Sequence, residues 1–218
     1  VMNTSVGNAV DVSVGTGSDV FLLVDSNRMV GGLSTPVNLA VSSDGKLDAA
    51  VTYNSITNTT TGAGITVVAS GDGDVSLNAD YNSIAGMAGA GISFSSSSSN
   101  DVDASFSGNT IRGAGSAGIL VDASSGSTGQ VSIAASGNVI SNTVDGIRVV
   151  ASSTAEVIAS IVNNAVQSSR QDGIDIEAGG SSYISATLAG NVVTRATNNA
   201  VRLAGTGTAR LDAVALGN

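Results

Sequence analysis

Cysteine, histidine and tryptophan are all missing from this chain, and proline occurs once. Without cysteine there is neither a disulfide framework nor a thiolate metal site. Without histidine, His-dependent catalytic triads and His-containing metal sites are excluded. Charged residues make up only 11% of the chain and lean acidic, with 17 carboxylates against 8 basic side chains and a net charge of −9. The basic residues are scattered rather than clustered, so phosphate-backbone binding, and with it a nucleic-acid partner, is not expected. No apolar run approaches the roughly 20 residues needed to span a bilayer. The longest compact one, Val20 to Val24, suits a strand, and no membrane span is expected. Cysteine-free composition fits an extracellular or cell-surface bacterial protein, which is the expected location.

What is abundant is small or β-branched: 28 glycines, with many Ser, Ala, Val, Thr and Asn. This suits tightly stacked strands and turns, and almost no helix is expected. A repeat runs through the whole chain. Its marker asparagines, Asn27, Asn54, Asn82, Asn109, Asn138, Asn164, Asn191 and Asn218, are spaced by 27, 28, 27, 29, 26, 27 and 27 residues. Cut after each asparagine, the chain falls into eight blocks that align almost without gaps. The second position of each block is apolar throughout: Met2, Met29, Ile56, Ile84, Ile111, Ile140, Val166 and Val193.

A second apolar column runs from Val10 through Ile119 and Ile147 to Val201, and a third lies two residues further on, from Val12 through Val121 and Val149 to Leu203. Seven and five residues before each asparagine stand two more, exemplified by Val131 with Ile133 and Val157 with Ala159. A spacing of two within a block places both side chains on one face of a strand. Each block therefore carries a short strand near its start, one around its tenth to fourteenth residues and one near its end. The residue before the second column is always small or a turn former: Ala9, Pro36, Gly64, Gly91, Gly118, Gly146, Gly173 and Ala200. Such a column marks a bend with close backbone approach.

One block cannot bury its inward residues by itself, but stacked blocks make three parallel sheets around a continuous apolar interior. The expected fold is all-β: a right-handed single-stranded parallel β-helix over residues 1–218, with eight coils of about 27 residues and no evident caps. The asparagines are expected to stack amide on amide as an internal ladder. With about 4.8 Å between adjacent strands, eight coils form a rod roughly 38 Å long.

The pattern G-N-x-I followed by G-I-x-V-x-A, clearest in GNTIRGAGSAGILVDA and GNVISNTVDGIRVVA, resembles the parallel β-helix repeats of the pectate-lyase-like superfamily. That group includes repeats in large bacterial surface proteins and autotransporter passengers. The resemblance covers the whole chain and implies the fold; it leaves function open among lyases, hydrolases, tailspikes, adhesins and passive stalks. The clustered aspartates with a nearby histidine and an Arg-x-Lys motif usual in pectin hydrolases of this fold have no counterpart here.

Chemistry on outward positions is limited. Arg148, Asp175 and Arg202 fall on successive coils between the second and third apolar columns, with Glu177 beside Asp175. An arginine there could steady a uronate carboxylate while another abstracts a proton; the same alternation also reads as a surface ion ladder. Asp44, Asp72, Asp74, Asn100 and Asp101 fall in the turns before the third strand and could offer oxygens to calcium, or stand as solvated turn residues. Tyr53 and Tyr81, just before their asparagines, are expected to stack as packing or, if exposed, as a sugar platform. No cofactor is expected. The chain begins and stops in the same phase of the repeat, which leads us to expect a segment of a longer solenoid or a subunit of an end-to-end filament. The expected function is a non-enzymatic extracellular rod whose partners are flanking coils or further copies; the alternative is a carbohydrate-active or carbohydrate-binding β-helix with surface glycans as partners.

Overall fold

A computed structural model describes residues 7–32, 34–123 and 127–218, together with the backbone of residues 2 and 3. The inward placement expected for the Met2 side chain lies outside the described residues. The described chain winds through three parallel eight-stranded sheets and contains no helix. Sheet 1 is built from short strands, among them Arg28–Val30, Thr110–Arg112, Val139–Ser141, Ala165–Gln167 and Val192–Thr194. Sheet 2 runs from Val10–Val14 to Val201–Gly205, and sheet 3 from Asp19–Asp25 to Arg210–Leu216. Every strand pairs in parallel with its equivalents on the neighbouring coils, so that Ile111 faces Ile140, Ile119 faces Ile147 and Val131 faces Val157. The result is the expected β-solenoid.

The apolar columns line the interior, with Ile65, Ile92, Ile119, Ile147 and Ile174 all at 0% exposure. Sheets 2 and 3 each add an inward column beyond the two expected. One includes Val41, Ala69, Ala123, Ala151 and Ala178; the other includes Val51, Ala79, Ala135, Ile161 and Leu188. Phe94 and Phe106 meet edge to face at 6.3 Å between ring centroids. Small buried Ser96 and Ala104 make room for the two rings in the same layer of core.

All three corners use left-handed backbone, the one between sheets 2 and 3 at Gly17, Ser43, Gly71, Ser153, Gly180 and Gly207 with φ between 58° and 72°, and the other two flanking the short strands of sheet 1. The residue before each marker asparagine has φ between 55° and 64°, whether it is Gly108, Gly137 or Gly190 or instead Ser26, Tyr53, Tyr81 or Asn163. Four residues after the asparagine a second such column comprises Gly31, Asn58, Gly86, Gly113, Asn142, Ser168 and Arg195, with φ between 56° and 72°. Side chains at these φ values cost about 1 to 2 kcal/mol each, which the ladder between the corners offsets. The column of small residues before sheet 2 has a different cause, since none of its glycines has positive φ. A Cβ on Gly118 would stand 2.4 Å from Cγ2 of Ile140 and 2.7 Å from the carbonyl oxygen of Gly146.

The ladder is continuous. The backbone N–H and side-chain amide of Asn109 both donate to Oδ1 of Asn138, at 2.9 and 3.0 Å, and Asn138 donates in the same way to Asn164. The second amide hydrogen of Asn138 goes to the carbonyl of Phe106 at 2.7 Å. Asn54, Asn82, Asn164 and Asn191 repeat this geometry, so amides at most 1% exposed are satisfied.

Asn138→Ala is expected to lower unfolding stability by about 1 to 3 kcal/mol, because Asn109 then loses its acceptor inside the core. Urea titration measures the loss, and an unchanged midpoint would deny the ladder an energetic role. Gly118→Ala is expected to cost about 1 to 3 kcal/mol by overpacking against backbone; in the same titration, wild-type stability would show that the coils can separate there at little cost.

Candidate functional site

Parallel register places Arg148, Asp175 and Arg202 directly opposite one another on sheet 2, with Glu177 two residues along the middle strand. Both arginines turn toward the middle coil. Arg148 Nε lies 3.3 Å from Oδ2 of Asp175, and its Nη2 donates to Oε2 of Glu177 at 2.6 Å. Arg202 Nη1 donates to Oδ1 of Asp175 at 2.8 Å and also to Glu177. The structure therefore brings together all three residues expected from the sequence and shows that Glu177 shares in both pairs.

The burial of Asp175 does not follow from its outward position in the repeat. It is only 4% exposed, because both guanidiniums fold over it. Burial raises the Asp175 carboxyl above its ordinary range, against the opposing pull of Arg202. Glu177, more open to solvent, is held below its ordinary range chiefly by the hydrogen bond from Arg148. With two carboxylates answering two guanidiniums, the cluster is neutral; Arg148 Nη2 and Arg202 Nη1 donate into it, while the buried Arg148 Nε faces Asp175 without a hydrogen bond. Proton abstraction by an arginine has no support here, since hydrogen bonding to Glu177 holds both guanidiniums above their ordinary pKa.

The turn aspartates are not gathered into a cation site. Asp44 accepts the Gly17 N–H at 2.9 Å, Asp72 accepts the Ser99 hydroxyl, Asp74 pairs with Lys46 at 3.4 Å and Asp101 accepts the Gln130 N–H at 2.8 Å. Asn100 donates to the Asp72 carbonyl at 2.6 Å. Each tethers its turn to a neighbouring coil, and among the described residues no group of three or more carboxylates could hold a metal ion.

Tyr53 and Tyr81 stack with ring centroids 5.2 Å apart and planes within 8°. Both are more than half exposed, and Tyr81 lies over Gly108, where a Cβ would meet its Cε1 at 2.5 Å. The pair thus packs along the rod and also presents ring surface to solvent.

A short second ladder was not anticipated. Asp145 Oδ1 accepts the Asp172 N–H at 3.0 Å, and Asp172 Oδ1 accepts the backbone and side-chain N–H of Asn199 at 2.9 and 2.7 Å. Asp145, Asp172 and Asn199 stand one coil apart, a sequence signal weakened because Ala117, Ala90 and Ala63 take the same place in earlier coils.

The two carboxylates of the sheet 2 cluster predict opposite pH trends. Glu177, with its pKa depressed, contributes stability that is present above its unfolded value and lost as pH falls through its folded value. Asp175, with its pKa raised, contributes in the other sense: its stabilisation is full below the unfolded value and lost as pH rises through the folded one. Relative to wild type, Glu177→Gln should therefore lose stability, and Asp175→Asn gain it, as pH rises from about 3 to about 6. Thermal unfolding of the three proteins across that window tests this, and parallel slopes would contradict it.

No family model matches the chain, and neither a curated protein nor a solved structure matches it.

Proposed function

We propose that this chain is a non-enzymatic structural rod displayed outside a bacterial cell, as a stalk, an adhesin passenger segment or an end-to-end filament subunit. The observation that carries this reading is the sameness of the coils. The ladder spacing stays between 26 and 29 residues, which leaves no insertion of the size from which a substrate cleft is built. Rigidity along the axis comes from three sheets of parallel hydrogen bonds and the amide ladder. The likeness of the repeat to pectate-lyase-like and autotransporter-passenger coils supports the extracellular setting. A catalytic reading would draw on Arg148, Asp175 and Arg202, and their mutual ion pairs speak against it.

A rod of interchangeable coils tolerates removal of one. Deleting residues 139–164 joins Asn138 to Ala165 in the correct phase of the repeat. The shortened chain should unfold cooperatively and lose about 4.8 Å of length in small-angle scattering. Failure to fold would mean that the coils are specialised. On the intact chain, light scattering across a dilution series, with negative-stain images of the same samples, tests self-association through growth of length with concentration. Release of unsaturated uronides from polyuronate would replace the rod by a lyase.

A further inference from the structure

The charges of this acidic chain are divided between faces. Sheet 3 carries Asp19, Asp25, Asp48, Asp74, Asp80, Asp103, Glu156 and Asp212 on its strands, against only Lys46 and Arg210 of opposite sign. The described strands of sheet 1 and the corner residues that follow them contain no Asp or Glu, and their only charges are Arg28, Arg112 and Arg195. Arg112, Ser141, Gln167 and Thr194 stand opposite one another on successive coils, with Arg195 at the next corner. Arg112 and Arg195 are thus separated along the axis by three coil steps, about 14 Å. Arg170, from the turn after Ser168, reaches back two coils to place its guanidinium 3.4 Å from the carbonyl of Ala114.

These side chains border a groove. One part, of about 470 Å³, is lined by Arg112, Ser141, Asn142, Gln167, Thr194 and Arg195, among others. A second part, of about 410 Å³, shares Asn142 and Ser168 with the first and is bordered by Arg170. No described carboxylate pairs with Arg112, Arg170 or Arg195, in contrast to Arg148 and Arg202 on sheet 2. Asp145 and Asp172, which lie in the turns after the sheet 1 strands on two of these coils, are buried and tied into the short ladder. Val139 and Val192 add an exposed apolar strip beside the polar column, at 45% and 61% exposure.

We propose that this groove on sheet 1 binds a linear acidic polysaccharide lying along the rod axis. Three guanidiniums without a carboxylate partner offer donors to carboxylate or sulfate groups, the forks of Arg112 and Arg195 open and that of Arg170 donating from Nη2 to the Ala114 carbonyl. Between them, the amides of Asn142 and Gln167 and the hydroxyls of Ser141 and Thr194 match sugar hydroxyls, and the valines match the apolar faces of the rings. Widely spaced cations suit a polymer with charges separated by neutral hydroxyl-bearing units. Nucleic acid fits less well: duplex DNA carries a charge about every 1.7 Å, and the lining residues include no aromatic side chain on which a base could stack. The site is separate from the sheet 2 cluster and stands whether or not the rod self-associates.

The test is calorimetric titration of the intact chain with polygalacturonate, heparin, neutral dextran and a single-stranded oligonucleotide, at low and at moderate salt. Binding is expected to polygalacturonate or heparin, whichever anionic group is preferred, to weaken with salt, and to be absent for dextran. The double variant Arg112→Gln/Arg195→Gln and the single variant Arg170→Gln should each weaken binding by about tenfold or more, while Arg28→Gln, outside the groove, should leave it within about twofold. All four side chains are exposed, so melting temperatures should match wild type and certify the fold. Absence of binding to both acidic polymers, undiminished binding by the groove variants, or equally tight binding of the oligonucleotide would overturn the proposal.

Discussion

In-register stacking of each coil on the next is the constraint on which everything else depends. A coil has almost no contacts that do not involve its neighbours, so its stability is a sum of interfaces. A one-residue slip within a strand would turn its inward residues outward. The chain meets this constraint by confining variation in length to two places. From Asn to the second left-handed corner the count is always four, and from Val131 or its equivalents to the next Asn it is always seven. Extra or missing residues fall only between sheets 1 and 2, as before Ile65 and Ile147, or between sheets 2 and 3, as between Ile119 and Val131. The ladder corner is the invariant joint, because an amide displaced by one residue would leave buried donors and acceptors unpaired on two coils at once.

Most of the fold was legible because the coil period converts distant positions into columns. Once Asn138 and Asn164 are aligned, Val131 with Val157 follows directly, and a one-residue gap before Ile147 sets Ile147 against Ile174 and carries Arg148 onto Asp175. Two features resisted this reading. The left-handed corners are hidden because Ser26, Tyr53, Tyr81, Asn163 and Arg195 occupy positions where glycine would have announced the geometry. The additional inward column of sheet 2 is hidden because it is filled largely by Ala and Ser, which read equally well as outward residues on a low-charge strand, and that of sheet 3 because Ala79 and Ala135 interrupt its larger members Val51, Phe106, Ile161 and Leu188. Alternation assigns a face correctly, but a small side chain leaves the width of the buried strip undefined.

Within the candidate sites, register was legible and burial was not. Asp175 stands on an outward strand position and yet is among the most buried charged groups in the chain. Its shelter comes from long flexible arginines on either side, and side-chain reach is invisible to a count of residues. The sheet 1 arginines are obscured by the opposite effect. Arg112, Arg170 and Arg195 look scattered along the sequence, and only the winding, together with the two-coil reach of Arg170, gathers them around one groove.

The two arginine groups differ in what remains available. On sheet 2 each guanidinium contacts both Asp175 and Glu177, and an incoming anion would have to displace a partially buried carboxylate already matched in charge and geometry. On sheet 1 no described carboxylate neutralises Arg112 or Arg195, and each donor fork meets solvent. An acidic chain under selection for solubility alone has no need to exclude every carboxylate from one face while placing many on another. The segregation makes sense if the two faces meet different surroundings: an acidic face that keeps the rod apart from anionic material, and a cationic groove that holds such material in one orientation. On a solenoid without a large insertion, that division of charge among three repeating faces is the main freedom left for encoding specificity.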